Sequence, residues 1–212
     1  MLTLHTAPLL LPVGAPPAAD GAVLVDGDRI AALGRYRELA AAHPAARVRR
    51  WPGILTPGLC QPHAGQLLTR AYHPDPREAD RLGVEPITGE ALERLHLDEA
   101  RWAGSVRRGL QRMLAHGVTA LAGPIPQWAR PAVARSGLAV LPALTAPAGR
   151  APRLDPLAVA AGLAASVHAP LRQAARADLA AFDVPDEAAL VEQGAGACVA
   201  TVLAGRLVYR RR

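Results

Sequence analysis

The sequence contains no lysine and few aromatic residues, and each shortage limits what it can encode. All 24 basic residues among its 212 are arginine. Aromatic residues make up 3% of the chain, so its core must be built mainly from alanine, valine, leucine and isoleucine. The hydrophobic share is nevertheless 50%, which is enough for one or two folded domains of ordinary size.

Cysteine is also scarce, and long apolar runs are missing. Cys60 and Cys198 lie far apart and form neither a disulfide framework nor a CxxC metal motif. No apolar run approaches the roughly 20 residues of a membrane-spanning helix. The N-terminus lacks the basic segment of a signal peptide. We therefore expect a cytoplasmic protein that makes no contact with a membrane.

Negative charge is in the minority, since the net charge is +6. A basic protein can contact nucleic acid. The arginines are scattered, however, and the dense clusters are limited to residues 47–50 and 210–212. Runs of charge near a terminus are usually solvated. We therefore predict no nucleic-acid partner, and nucleic-acid binding is the weakest of three functional hypotheses.

Both ends of the sequence have the pattern of β-hairpins. Asp26-Gly27 separates two apolar runs near the start, and Ala204-Gly205 separates two more near the end. A turn residue that tolerates positive φ between apolar runs is a strong hairpin signal. A further strand is expected over residues 178–183. The pattern predicts one small composite β-sandwich made from residues 1–53 and 177–212.

The middle of the chain, residues 54–176, alternates the patterns of helix and strand. Apolar residues from Trp102 to Leu114 recur with the period of a helix, and Gly117 is placed to end it. A strand is predicted over residues 118–122. This alternation is typical of parallel strands joined by crossover helices, so the predicted fold class is α/β.

The flanking segments of this unit complete the prediction. A loop is expected over residues 70–89, and a linker at Pro147 to Pro152. The remaining predicted elements are a helix at 128–136, a strand at 138–144 and a helix at 157–167. Asp155-Pro156 should begin that last helix, because aspartate caps free N–H groups and proline fits the first helical position.

Several segments, in order, resemble those of the amidohydrolase superfamily. GILTPGLCQPHAG (Gly53 to Gly65) is similar to the strand and turn that precede a His-x-His pair in that family. GAVLVDGDRIAALG (Gly21 to Gly34) resembles its N-terminal sandwich hairpin, and ADLAAFD (Ala177 to Asp183) its return to the sandwich. By pattern, the chain is most similar to imidazolonepropionase-like and aminodeoxyfutalosine-deaminase-like proteins.

The resemblance implies metal-assisted hydrolysis of non-peptide carbon–nitrogen bonds, in which a divalent ion such as zinc activates water. Two histidines spaced i, i+2 on an extended strand point the same way and suit one ion. His63 matches the first of the pair, but Gly65 occupies the position of the second. His63 is thus the candidate metal ligand, and a metal is implied only if other residues complete the site.

His73 is a second, weaker candidate ligand, since it lies in the segment that follows His63 and could approach the same cavity. Both histidines have plain structural alternatives, as a strand-end residue and a loop residue. Cys60 forms a Cys-x-x-His pair with His63 and could act as a nucleophile, or simply as a small apolar residue. No catalytic residue is assigned.

The length of the middle unit departs from the family. A complete (β/α)8 barrel needs roughly 250 residues, and far fewer lie between Gly53 and Ala177. The sequence therefore predicts a truncated barrel-like unit with uncovered apolar edges, and we expect a homodimer or a protein partner to cover them. The first main hypothesis is a degenerate hydrolase relative, whose small-molecule substrate the sequence does not specify. The second is a non-catalytic binding or assembly subunit.

Overall fold

A computed structural model describes residues 1–142 and 152–211. The strands are β1 (Leu2–Thr6), β2 (Leu9–Leu10), β3 (Ala18–Ala19), β4 (Gly21–Asp26), β5 (Arg29–Arg35), β6 (Arg47–Arg50), β7 (Ile54–Pro57), β8 (Leu59–Gln61), β9 (Ala71–Tyr72), β10 (Ile87–Thr88), β11 (Val118–Ala122), β12 (Ala139–Leu141), β13 (Leu179–Phe182), β14 (Cys198–Leu203) and β15 (Arg206–Arg210). The helices are α1 (Tyr36–Ala42), α2 (Ala64–Thr69), α3 (Ala79–Leu82), α4 (Gly89–Glu93), α5 (Glu99–Ala115), α6 (Arg130–Ser136), α7 (Leu163–Ser166) and α8 (Glu187–Gln193). Short 3-10 turns lie at Pro76–Glu78 and Ala195–Ala197.

Two sheets are built from the beginning and the end of the chain. One has four strands in the order β5-β4-β1-β6, and the other has six in the order β15-β14-β13-β7-β2-β3. Within the second sheet, β7 pairs in parallel with β2 and antiparallel with β13. Segments from both ends of the sequence therefore lie side by side in one sheet.

These two sheets share a hydrophobic core. Val23 and Ile30 from the four-stranded sheet pack in one cluster with Leu55, Leu179 and Val202 from the six-stranded sheet. Each of these side chains is at most 2% exposed. Burying apolar side chains at this level contributes on the order of 1.5–3 kcal/mol each, so the shared core holds the two sheets together.

A third sheet contains parallel strands in the order β12-β11-β8. It shares a second core with the face of the six-stranded sheet that points away from the four-stranded sheet. Helix α5 presents Val106, Leu110 and Met113 to a cluster that includes Leu121 and Phe182. At its end, the Thr201 hydroxyl donates to the Leu114 carbonyl at 2.6 Å, tying the helix to β14. The predicted mixed α/β fold class is confirmed.

The elements with the strongest sequence signals form as predicted. Strands β4 and β5 make the Asp26-Gly27 hairpin, and β14 and β15 make the Ala204-Gly205 hairpin. Helix α5 follows the apolar period, and Gly117 ends it with a φ of +74°. Strand β11 has its predicted bounds. Segments with a strong local sequence pattern therefore adopt the predicted secondary structure.

The predicted helix over residues 157–167 is wrong in most of its length. Only Leu163–Ser166 is helical, because Gly162 has a φ of +97°, which interrupts any helix that precedes it. Asp155 still accepts a hydrogen bond from the backbone N–H of Leu157 at 2.8 Å. Its other carboxylate oxygen accepts from the N–H of Ala195 at 3.1 Å, so it joins two distant segments.

The predicted loop over residues 70–89 is also corrected, since it contains β9 paired with β10, a 3-10 turn and α3. Tyr72 is 1% exposed, and its hydroxyl donates a hydrogen bond to the Glu78 carboxylate at 2.5 Å. Arg101 of α5 donates to the same carboxylate at 2.8 Å. This polar network orders a segment whose sequence has no regular period.

Other expectations are only partly within the described residues. The structure forms the shorter strand β12 within the strand predicted at 138–144. It forms α6 within the helix predicted at 128–136. The predicted linker Pro147 to Pro152 lies outside the described residues except for Pro152. Across residues 1–142 and 152–211, none of the helices combines the length and the hydropathy needed to cross a bilayer.

His5 occupies a buried position in the four-stranded sheet. It is 1% exposed, and its Nδ1 accepts a hydrogen bond from Trp51 Nε1 at 3.1 Å. Its Nε2 has no hydrogen-bond partner among the described residues. Burial, reinforced by the nearby Arg49 cation, lowers the pKa of His5 from 6.5 to about 4. The imidazole is therefore neutral in the folded protein at neutral pH.

This pKa difference predicts acid sensitivity. As the pH falls from about 6.5 to about 4, the unfolded chain binds a proton at His5 that the folded chain does not, so roughly 3 kcal/mol of stability is lost across that window. His5→Gln keeps an acceptor for Trp51, and we expect its free energy of unfolding to fall less over the same range. Urea denaturation near neutral pH and near pH 4 measures the difference; equal losses in both proteins contradict it.

Candidate functional site

The candidate site lies at the carboxyl ends of β8 and β11. A cavity of about 510 Å³ opens there between residues 62–70, which follow β8, and residues 122–126, which end and follow β11. Ligands of open α/β folds bind at the carboxyl ends of parallel strands. This position makes the cavity the first candidate for a binding site.

His63 lines this cavity and serves as the N-terminal boundary of α2. Its backbone N–H donates to Gln61 Oε1 at 3.1 Å, and its carbonyl accepts from Leu67 at 3.0 Å. The residue is 6% exposed, and the ring nitrogen Nδ1 is buried with no partner among the described residues. The sequence thus located a side chain that does border the cavity.

Gln61 positions the segment that lines the cavity, and the sequence analysis missed it. It is fully buried, and its side-chain amide donates to the carbonyls of Arg153 at 3.1 Å and Leu154 at 3.0 Å. With its bond to the His63 N–H, it fixes the end of β8 against a segment far along the chain. A polar amide inside a short apolar strand was the signal that could have identified it.

Gly65, at the position of the second metal-binding histidine in the resemblance, has no room for a side chain. A Cβ atom placed there would overlap the carbonyl oxygen of Pro124. The local backbone is also different from the expected extended strand, because α2 begins at Ala64. Residues two apart in a helix point in different directions, so position 65 does not share the direction of His63.

His73 does not join His63, since it is absent from the residues that line the cavity. It is fully buried beneath α5, where Nε2 lies 3.0 Å from the Leu67 carbonyl. A Cβ at Gly109 would lie 2.7 Å from that nitrogen, so the glycine leaves space for the ring. Burial lowers the pKa of His73 to about 4, and the ring is packed in the interior beneath α5.

Cys60 is likewise a packing residue. It lies on β8 against Ala120 and Ala122 of β11 and is 4% exposed. Burial raises the pKa of the Cys60 thiol to about 11. A thiol with this pKa stays protonated at neutral pH and is a poor nucleophile. The Cys60–His63 pair therefore does not have the electrostatics of a catalytic dyad.

The residues around the cavity do not fit a metal ion. Within the described parts of the chain, no group of three histidine, cysteine, aspartate or glutamate side chains is arranged to hold one. Protein zinc sites use three or four such ligands. Among the lining residues the permanent charge belongs to Arg70, a cation, and the others are neutral or apolar apart from His63. The lining suits an uncharged or anionic ligand better than a cation.

Residues 21–46 match a family model described as the imidazolonepropionase-like composite domain of bacteria. The match covers β4, β5 and α1, and it falls on the segment whose sequence resembles the sandwich hairpin of the amidohydrolase superfamily. A comparison with curated proteins finds no significant match.

Solved structures that match part of this chain include hydrolases and deaminases. Aspergillus niger ochratoxinase is 19% identical, with a TM-score of 0.45, over 66% of this chain and 31% of that one. Guanine deaminase from Bradyrhizobium japonicum is 17% identical, with a TM-score of 0.46, over 66% and 34%. An adenosine deaminase from Xanthomonas campestris with bound zinc is 16% identical, with a TM-score of 0.43, over 66% and 33%. The chain thus spans about a third of the length of the structures that it matches.

The close approach of Gly65 to Pro124 can be tested by adding one methyl group. Gly65→Ala should lower the free energy of unfolding by about 1–3 kcal/mol, because the new Cβ displaces the Pro124 carbonyl. Gly196→Ala is the matched control, since a Cβ there meets no atom within 4 Å. Urea denaturation compares the two variants. A Gly65→Ala protein as stable as the control would show that the Pro124 carbonyl does not exclude a Cβ at position 65.

Proposed function

We propose that this chain is a shortened relative of the amidohydrolase superfamily, on the premise that its residues 21–46 carry the imidazolonepropionase-like composite domain of bacteria. We assign the two sheets built from both ends of the chain to the composite sandwich predicted at residues 1–53 and 177–212, and add β7 (Ile54–Pro57), which pairs with β2 and β13. The parallel strands β8, β11 and β12 correspond to part of a (β/α) barrel. The order of strands in the three sheets supports this assignment.

The chemistry of the superfamily is hydrolysis of non-peptide carbon–nitrogen bonds, and in this chain we infer that the metal site for it is incomplete. The observation that carries this inference is the packing of Gly65 against the Pro124 carbonyl. It leaves His63 alone at the carboxyl end of β8. A single imidazole falls well short of the three protein ligands that a catalytic zinc ion needs.

What remains is a cavity suited to binding. Its volume of about 510 Å³ is within the ordinary range for small-molecule sites. His63, Gln66 and Arg70 supply polar groups, and Ile125 with the neighbouring prolines supplies apolar surface. We infer that the chain binds a small molecule at the ancestral position without hydrolysing it through a metal of its own.

Metal analysis tests this proposal most directly. After incubation with zinc and dialysis, we expect less than one equivalent of zinc per chain, and no change in His63→Ala. His43→Ala is the control, because His43 lies at the C-terminal end of α1 and does not line the cavity. Stoichiometric zinc that is lost in His63→Ala but kept in His43→Ala would restore the hydrolase hypothesis.

A second candidate function is assembly, and the edge of the parallel sheet favours it. Strand β12 is the last strand of that sheet among the described residues, and Val140 at its centre is 54% exposed. Trp128, also 54% exposed, precedes α6 and contacts Trp102 edge-on with 6.3 Å between ring centroids. An apolar strand edge of this kind readily pairs with another chain. We propose that a second copy of this chain covers it.

Light scattering at micromolar concentration tests the assembly. The wild-type protein should be a dimer, and Val140→Lys should be a monomer, because a lysine at a paired strand edge costs a buried charge. Val191→Lys on α8 is the matched control: it alters another exposed valine, 46% accessible, and should leave the dimer intact. A wild-type monomer, or dimers in all three proteins, would remove β12 as the interface.

A further inference from the structure

A second cavity lies at the opposite end of β11 from the His63 site. It measures about 590 Å³ and is bordered by three parts of the chain: residues 74–84, the C-terminal half of α5, and β15. Helix α5 ends at Ala115, which lines this cavity, and β11 begins three residues later. The first cavity, in contrast, is lined by Ala122, at the last position of β11. The two cavities are therefore separate sites.

The wall formed by residues 74–84 is held firmly against α5. Arg108 Nε donates to the His73 carbonyl at 2.8 Å, and Arg108 Nη1 lies 3.2 Å from the Asp75 carboxylate. Asp75 also accepts from the Arg77 backbone N–H at 3.0 Å and so caps the 3-10 turn. These contacts fix the shape of the cavity before any ligand arrives, which lowers the cost of binding.

The opposite wall is formed by an irregularity in β15. The pairing of β14 with β15 shifts between Thr201–Tyr209 and Val202–Leu207, which leaves Val208 as an extra residue. Bulges of this kind redirect side chains and are common beside functional sites. Val208 and Tyr209 both line the cavity, although neighbours in a regular strand face opposite sides. The bulge thus adds a second apolar residue to this wall.

The charges in the cavity favour an anion. The carboxylate of Asp75 is already engaged by Arg108. Arg112 is paired with Glu85 at 3.6 Å, and the Glu85 side chain is 82% exposed, so water screens that pair. The Arg112 side chain is itself only 29% exposed. The Arg112 cation thus lies beside apolar surface and is paired only weakly with Glu85. A carboxylate or sulfonate of a ligand could replace Glu85 as its partner.

We propose that this cavity binds a small aromatic or aliphatic molecule that carries one anionic group. The anion pairs with Arg112, and the apolar body packs against Val84, Leu114 and Val208. This site is independent of the cavity beside His63 and of any metal. Its volume is within the roughly 300–1,000 Å³ typical of small-molecule sites.

Two fluorescent probes that differ by one charged group test the proposal. The probes are 8-anilinonaphthalene-1-sulfonate and N-phenyl-1-naphthylamine, which has the same aromatic body without the sulfonate. We expect the sulfonate probe to saturate one site per chain and to bind about tenfold more weakly to Arg112→Gln, because a charge-assisted contact is lost. Binding of the neutral probe should not change. Arg107→Gln, on an exposed position of the same helix, is the matched control and should bind both probes like the wild type.

Methyl NMR shifts locate the bound probe. Shifts at Val84, Leu114 and Val208 are expected, and shifts confined to Ile125 would assign the probe to the His63 cavity. The proposal is overturned if Arg112→Gln binds the sulfonate probe like the wild type, or if the neutral probe weakens equally. It is also overturned if the shifts lie away from this cavity. Circular dichroism of both variants verifies that they are folded.

Discussion

The antiparallel pairing of β7 with β13 is the constraint on which the rest of the structure depends. It joins Ile54–Pro57 to Leu179–Phe182, two segments far apart in sequence, and all eight residues are buried. Alternate residues of β13 face opposite ways: Leu179 and Ala181 enter the core between the two terminal sheets, while Ala180 and Phe182 enter the core beneath α5. One four-residue strand therefore supports both cores, and apolar burial there offsets the entropy of closing a long loop.

The position of the first cavity follows from this pairing. Gly58, the residue between β7 and β8, donates its N–H to the Asp178 carbonyl at 3.0 Å, and a Cβ there would overlap the Thr119 side chain. The chain can thus pass from the six-stranded sheet to the parallel sheet in a single step, close against β11. Gln61 then secures the far end of β8, and α2 begins directly afterwards with His63 at its boundary. The location of His63 is a result of sheet packing more than of any property of the histidine.

The sequence predicted those parts of the fold whose determinants are local. The Asp26-Gly27 hairpin and the apolar stripe of α5 extend over enough residues to show a period or a turn, and both are present. Helices α2 and α8, at six and seven residues, are too short to show one. Long-range contacts were invisible: nothing near Asp155 reveals its bond to Ala195, and nothing near Gly65 reveals Pro124. The same holds for the two cavities: His63 could be found by resemblance, but Gln61 beside the first cavity, and Arg112 and the Val208 bulge in the second, could not.

The contact between Gly65 and Pro124 has a consequence for any redesign of the chain. The loop that carries Pro124 follows β11, whereas Gly65 belongs to the segment after β8, so the two residues belong to separate stretches of sequence. A larger residue fits at position 65 only if the loop that carries Pro124 moves away. While position 65 is glycine, nothing displaces that loop. A side chain at position 65 without a shift of the Pro124 loop is therefore expected to destabilise the fold. A histidine could therefore be built in at position 65 only together with a compensating change in the loop after β11, so the two segments would have to be redesigned as a pair.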